Sequence, residues 1–179
     1  MQLVGVTCML IASKYEEIYA PQVDEFCYIT DNTYTREDVL LMERTVLDAL
    51  DFELTQPTTR LFLRQYLQAA ECDIKVDFFA NFLAELALLD YKLLKFSPSI
   101  LAAATLYLAL ETLGNCPWSP NLVHQTGIHE DYLIECVAEL RRCHISASKS
   151  SLRAAREKYA HTKYHCVSRV ELKGPVSWN

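Results

Sequence analysis

Glycine and proline are scarce in this chain, four and six among 179 residues. So few breakers leave little room for a turn-rich fold and favour long regular elements, helices first. No apolar run approaches the roughly 20 residues that a membrane helix needs. The richest stretch, Leu3 to Ala12, is too short and lacks the basic flank of a signal peptide. Nothing in the pattern therefore directs the chain to a membrane or into the secretory route. Gly5, Gly114, Gly127 and Gly174 stand apart, so no GxGxxG or GxxxxGK loop is present to cradle a phosphate, and no GxSxG elbow occurs. The seven cysteines include no CxxC pair. Cys8, Cys27, Cys136 and Cys143 fall on apolar faces or their edges and read as reduced, buried thiols. A net charge of −6 argues against nucleic acid as a partner, because a surface that reads a phosphate backbone carries a basic stripe. Basic residues are scattered, with one modest cluster running from Arg141 and Arg142 through Arg156 to Lys163.

What is present is a chain with 51% hydrophobic residues, enough for a packed core. Residues 1–17 read as a helix apolar on nearly every side, the pattern of a helix at the centre of a bundle. A short helix follows over Gln22 to Tyr28, then a turn at Asp31-Asn32-Thr33. Thr35, with Asp38 three residues on, caps a helix reaching Leu50, with Val39, Met42, Val46 and Leu50 on one stripe. Pro57 or Thr58 opens the next helix, with Phe62, Leu63, Tyr66 and Leu67 inward. A long helix is predicted from Asp73 to Lys95, with Phe79, Phe82, Leu83, Leu86 and Leu89 inward. Ser97-Pro98 is a strong helix start, and Ile100 to Leu110 is a second helix apolar all round. Trp118-Ser119-Pro120 starts a short helix that Gly127 stops. Glu130 to His144 carries Leu133, Cys136, Val137 and Leu140 inward, and 151–160 form a last, charged helix. No segment alternates with period two, so no strand is predicted.

An internal repeat organises these elements. Ile100 to Ala109 matches Leu3 to Ala12 class for class, and each run is followed by a proline-containing loop, a short helix, a turn and an amphipathic helix. The second unit has two further helices before its central one. The first unit begins at its central helix.

The run Ser13-Lys14-Tyr15-Glu16-Glu17-Ile18 and the stretch Tyr28-Ile29-Thr30-Asp31 resemble the first cyclin box of the A-type cyclins of S phase and mitosis. Met42-Glu43-Arg44-Thr45-Val46-Leu47, and near the end Arg156-Glu157-Lys158-Tyr159 with Lys163-Tyr164, are similar to the same family. The resemblance covers almost the whole chain. It implies an all-α cyclin fold, with a partial N-terminal box over 1–54, a complete second box of about five helices over 55–147, and a C-terminal helix and tail over 148–179. It implies no catalysis and no cofactor. The implied role is that of a regulatory subunit that binds and activates a cyclin-dependent protein kinase, in the nucleus and cytoplasm. By position, Lys14 and Glu43 match a charged pair that hydrogen-bonds the kinase beside its C-helix. Phe52 and Leu54 match apolar contacts to that helix, and Ile11, Tyr15, Ile18 and Leu47 fall where neighbouring contacts are expected. Gln2 matches one residue of the patch that captures RxL motifs of substrates or inhibitors, while the helices that form most of that patch have no counterpart here. An alternative reading is a truncated cyclin-fold fragment or adaptor that activates no kinase.

The residues bear plainer readings too. Glu43 shares the apolar stripe of Val39 and Val46, a costly place for a carboxylate without a partner. It could equally reach water from the edge of that stripe. Aligned on the repeat, Val137 takes its place in the second unit. Lys14 continues the apolar face of its helix and could simply meet the negative helix end. Two misplaced opposite charges in one unit point to an interface pair. Phe52 and Leu54, taken alone, read as core plugs. His161 and His165 have zinc-compatible spacing with Cys166 adjacent but no third ligand, so no metal is expected. Arg44 to Leu47 and Arg60 to Leu63 fit a minimal RxxL degradation signal, yet both lie inside predicted helices.

Overall fold

A computed structural model describes residues 1–172; the end of the predicted tail, from 173, lies outside the described residues. The chain divides into two units, 1–56 and 57 onward. Every regular element among the described residues is helical.

The first unit consists of α1 (Gln2–Glu16), α2 (Val23–Ile29) and α3 (Arg36–Ala49). The capping box predicted at Thr35 forms. Its hydroxyl accepts from the Asp38 N–H at 3.2 Å, and the Asp38 carboxylate accepts from the Thr35 N–H at 2.9 Å. The Thr35 N–H first, and then the Thr35 hydroxyl, which donates to the same carboxylate at 2.8 Å, hold the Asp38 carboxyl below its usual range. Gln22 and Glu25 make a second box, so α2 starts one residue later than predicted. Asp31 and Asn32, at φ 55° and 54°, turn the chain in the left-handed region that Asp and Asn tolerate. Leu10 and Val39 are fully buried, with Val6, Val23, Phe26 and Cys27 around them. The expectation that α1 is buried all round fails. Only Val6, Thr7, Leu10 and Ile11 are covered, because α1 leans on α2 and α3 from one side. Val4 and Met9 are exposed, and so is Cys8, which was predicted on an apolar face.

The second unit is built around α6 (Pro98–Thr112), with α4 (Thr59–Ala70), α5 (Ile74–Ala87) and α8 (Ile134–Ala147) packed on it. Here the all-round apolar pattern has its predicted meaning: Ala102, Ala103, Ala104, Leu106, Leu108 and Ala109 are fully buried. Three alanines in a row let neighbouring backbones come close. Ser97 caps α6 and Ser119 caps α7 (Pro120–Thr126), each with proline at the first helical turn, and Gly127 ends α7 at φ 69°. The long helix predicted from Asp73 to Lys95 stops at Ala87 and resumes as a 3-10 turn over Tyr91–Lys95. The Asp90 carboxylate accepts from the Lys92 N–H at 3.0 Å, offering the backbone a cap in place of continued helix. Leu89 lies on the break and is half exposed rather than inward.

The segment predicted as a separate tail from 148 is, through residue 172, part of the second unit. In α9 (Ala154–Tyr159), Lys158 reaches Glu85 at 2.5 Å and the Tyr159 hydroxyl donates to the same carboxylate at 2.8 Å. Tyr159 and Val167 are core residues, and Tyr159 stacks on Phe82 and Tyr164. The first unit ends at Gln56 and the second begins at Pro57.

The repeat is sharper in structure than in sequence. α1, α2 and α3 have 15, 7 and 14 residues, and so do α6, α7 and α8.

Candidate partner-binding site

Lys14 sits in the last turn of α1 and Glu43 in the middle of α3, two helices that pack together. The Lys14 Nζ donates to the Glu43 Oε1 at 2.6 Å. The Glu43 side chain is 14% exposed and that of Lys14 47%. The carboxylate thus lies at the margin of the Val39 stripe with a charged partner, and the lysine carries the pair to the surface. An anchored pair of this kind keeps unused hydrogen-bonding capacity: two N–H donors on the ammonium and a second carboxylate oxygen.

Exposed apolar groups gather in the same unit. Ile18 follows the end of α1 and is 93% exposed. Tyr15 is half exposed, and its hydroxyl lies 2.6 Å from the Thr55 Oγ1. Thr55 was not among the predicted site residues, and no sequence pattern singles it out. Leu47 and Leu54 are half-buried. Ile11 is buried, at 8% exposure. It offers little surface to a partner. Gln2 is exposed at the start of α1.

Phe52 departs from the core-plug reading: it is 64% exposed. It and Asp51 follow α3 in the left-handed region, at φ 57° and 49°. The Phe52 N–H donates to the Leu47 carbonyl at 3.0 Å, closing the helix end. A left-handed non-glycine residue costs about 1 kcal/mol. That strain holds the phenyl ring out in water instead of in the core.

The helix register corrects the counterpart of Glu43. Counted from the first residue of α3 and α8, Val39 and Val137 are both fourth, and Glu43 and Arg141 are both eighth. Val137 is therefore the counterpart of Val39, buried like it.

The histidines near the C-terminus do not share a helix face. His161 precedes a 3-10 turn over Thr162–Tyr164, and His165 follows it at φ 54°. Among the described residues, no group of three potential ligands could hold a metal ion. Among the same residues, no helix is long and apolar enough to cross a membrane.

Comparison with known proteins adds the lineage. Residues 57–173 match the family model described as the C-terminal domain of cyclins, and residues 1–55 that of the N-terminal domain. Cyclin-A2-1 of Oryza sativa subsp. japonica is 48% identical over 177 residues, which cover 95% of this chain and 36% of that protein. Cyclin-A1-1 of Arabidopsis thaliana is also 48% identical, covering 94% of this chain and 38% of the relative. The chain thus spans little more than a third of the length of these relatives. Among solved structures, a viral cyclin from Herpesvirus saimiri superposes with a TM-score of 0.67 over 79% of this chain and 64% of its own, at 22% identity. That likeness speaks to the fold.

Proposed function

Because the chain belongs to the cyclin family, we propose that it is a regulatory subunit that binds and activates a cyclin-dependent serine/threonine protein kinase, and so controls passage through S phase and G2/M. The observation that carries this reading is the Lys14–Glu43 pair, held at 2.6 Å at the edge of a core stripe with exposed Phe52, Tyr15 and Ile18 in the same unit. In this reading the pair hydrogen-bonds the kinase beside its C-helix, and Phe52 and Leu54 pack against that helix. The C-helix is then held where the kinase's own Lys–Glu pair forms and the activation segment can order. The subunit performs no chemistry. It works in the nucleus and cytoplasm, without nucleic acid or membrane as a partner. Gln2 is the residue of this chain that would belong to the RxL-capturing patch.

A second reading, a fragment or adaptor that activates no kinase, draws on the apolar side of α1 left open at Val4 and Met9. One experiment separates the two. A purified cyclin-dependent kinase is assayed with and without the chain, and with Glu43→Arg. Activation by the chain that the variant loses supports the first reading. A chain shown to be folded by circular dichroism that nevertheless fails to activate supports the second.

A further inference from the structure

We infer that the cleft between α8 and the segment Ser168–Leu172 in the second unit receives a phosphorylated serine or threonine side chain of a peptide partner. The cleft holds about 630 Å³, within the range of ligand sites and far more than a bare oxyanion fills. The basic cluster noted in the sequence converges here. Arg141, Arg142, Arg156 and Arg169 all line it, against one carboxylate, Glu171. The first two are already engaged: Arg141 pairs with Glu111 and Arg142 with Glu139. The guanidinium groups of Arg156 and Arg169 have no ion-pair or hydrogen-bond partner among the described residues. Two unanswered guanidinium forks facing one cleft, in a chain of net charge −6, are a local exception to its electrostatics.

The remaining wall is not that of an ion site. Ile145, Val170 and Leu172 face the same space. His144 also lines it, but as a packed ring, 8% exposed and edge-on to Phe79 and Phe82. A bare anion makes no use of such apolar surface, whereas a peptide with apolar residues beside its charge does. Phosphate fits better than carboxylate because a dianion with three terminal oxygens can satisfy two guanidinium forks at once. The inference is independent of kinase activation, since none of its residues lies in the first unit.

The test is fluorescence anisotropy of the full chain with a labelled peptide carrying phosphoserine between leucine and valine residues, and with its unphosphorylated form. The phosphopeptide should bind at least about tenfold more tightly than the unphosphorylated peptide, with an affinity that falls steeply as salt rises. The Arg156→Gln/Arg169→Gln variant should lose that advantage. If that variant fails to fold, the exposed Arg169→Gln alone carries the test. Sodium phosphate should displace the peptide only at far higher concentration. Equal affinity for both peptides, an unaffected folded variant, or inorganic phosphate binding as tightly as the peptide would each overturn the assignment.

Discussion

Glu111 and Arg141 form an ion pair between α6 and α8 at the places that Lys14 and Glu43 hold between α1 and α3, with the signs exchanged. In the register where Leu3 to Ala12 matches Ile100 to Ala109, Lys14 falls on Glu111. The two pairs differ in shelter. The side chains of Arg141 and Glu111 are 15% and 10% exposed, against 47% and 14% for Lys14 and Glu43. Breaking a buried pair leaves an uncompensated charge, at a cost of about 3 kcal/mol. Breaking a pair that opens to water costs no more than about 1 kcal/mol. Arg141→Ala is therefore expected to destabilise the second unit markedly, and Lys14→Ala to leave the first almost as stable as before. Urea denaturation of the two variants checks this. Equal losses would refute the idea that one repeat sealed its charges for stability while the other left them open for contact.

The same comparison governs Gly5 and Ala102, which the repeat also places together. A methyl group added to Gly5 meets nothing within 4 Å, while Ala102 is fully buried. Gly5→Ala should stabilise the first unit by about 0.5–1 kcal/mol, since glycine inside a helix is entropically unfavourable. Ala102→Val should cost about 1–3 kcal/mol by overpacking the centre of the second unit. Thermal unfolding followed by circular dichroism reads both. A gain at Ala102 or a loss at Gly5 would mean that the two central helices are not sheltered as described.

The caps at Thr35, Ser97 and Ser119 were legible in the sequence because one side chain and one backbone group define each of them. The core of α6 was legible for a similar reason: an all-apolar helix has only one stable place. The identical pattern in α1 misled, because hydropathy says what a residue avoids and not how many neighbours are there to cover it. The break after Ala87 was hidden because Asp90 acts by a local bond that interrupts an otherwise continuous apolar period. At the candidate site, Lys14 and Glu43 stood out as charges on apolar stripes. The exposure of Phe52 did not, since it depends on two successive left-handed residues, Asp51 and Phe52 itself, and a single Asp followed by Phe is a weak turn signal. Arg141 was masked by an alignment that matched Glu43 to Val137, four residues too early in its helix.

Cysteine reactivity should divide along the structure. Burial, the largest influence in each case, raises the Cys136 thiol to about 12 and the Cys143 thiol to about 11. Cys8 and Cys116 are exposed. Brief treatment of the native protein with iodoacetamide, followed by peptide mass mapping, should find Cys8 and Cys116 alkylated, with Cys136 and Cys143 untouched until denaturant is added. Rapid labelling of Cys136 in the native state would show that α8 opens away from α6.

His144 makes the second unit sensitive to acid. Its ring lies edge-on to Phe79 and Phe82 with Nε2 unpartnered. Burial first, and then the nearby Arg156 charge, lower its pKa to about 4 from 6.5. Arg141 and Arg142 line the same cleft and oppose a further positive charge; Glu171 is the one carboxylate there. Between pH 6.5 and 4 the unfolded chain therefore binds a proton that the folded chain refuses. Stability must fall as pH drops through that window and show no further loss from this group below it. The full span corresponds to a loss on the order of 3 kcal/mol. Other carboxylates titrate nearby, so the informative quantity is the difference between the native chain and His144→Leu, a change that removes no hydrogen bond at Nε2. Unfolding free energies measured by urea at pH 7, 5.5 and 4 should show that difference moving in favour of the variant as the pH is lowered. A difference independent of pH would mean that His144 accepts its proton in the folded state as readily as in the unfolded one, and that the ring is not enclosed by the two phenylalanines as described.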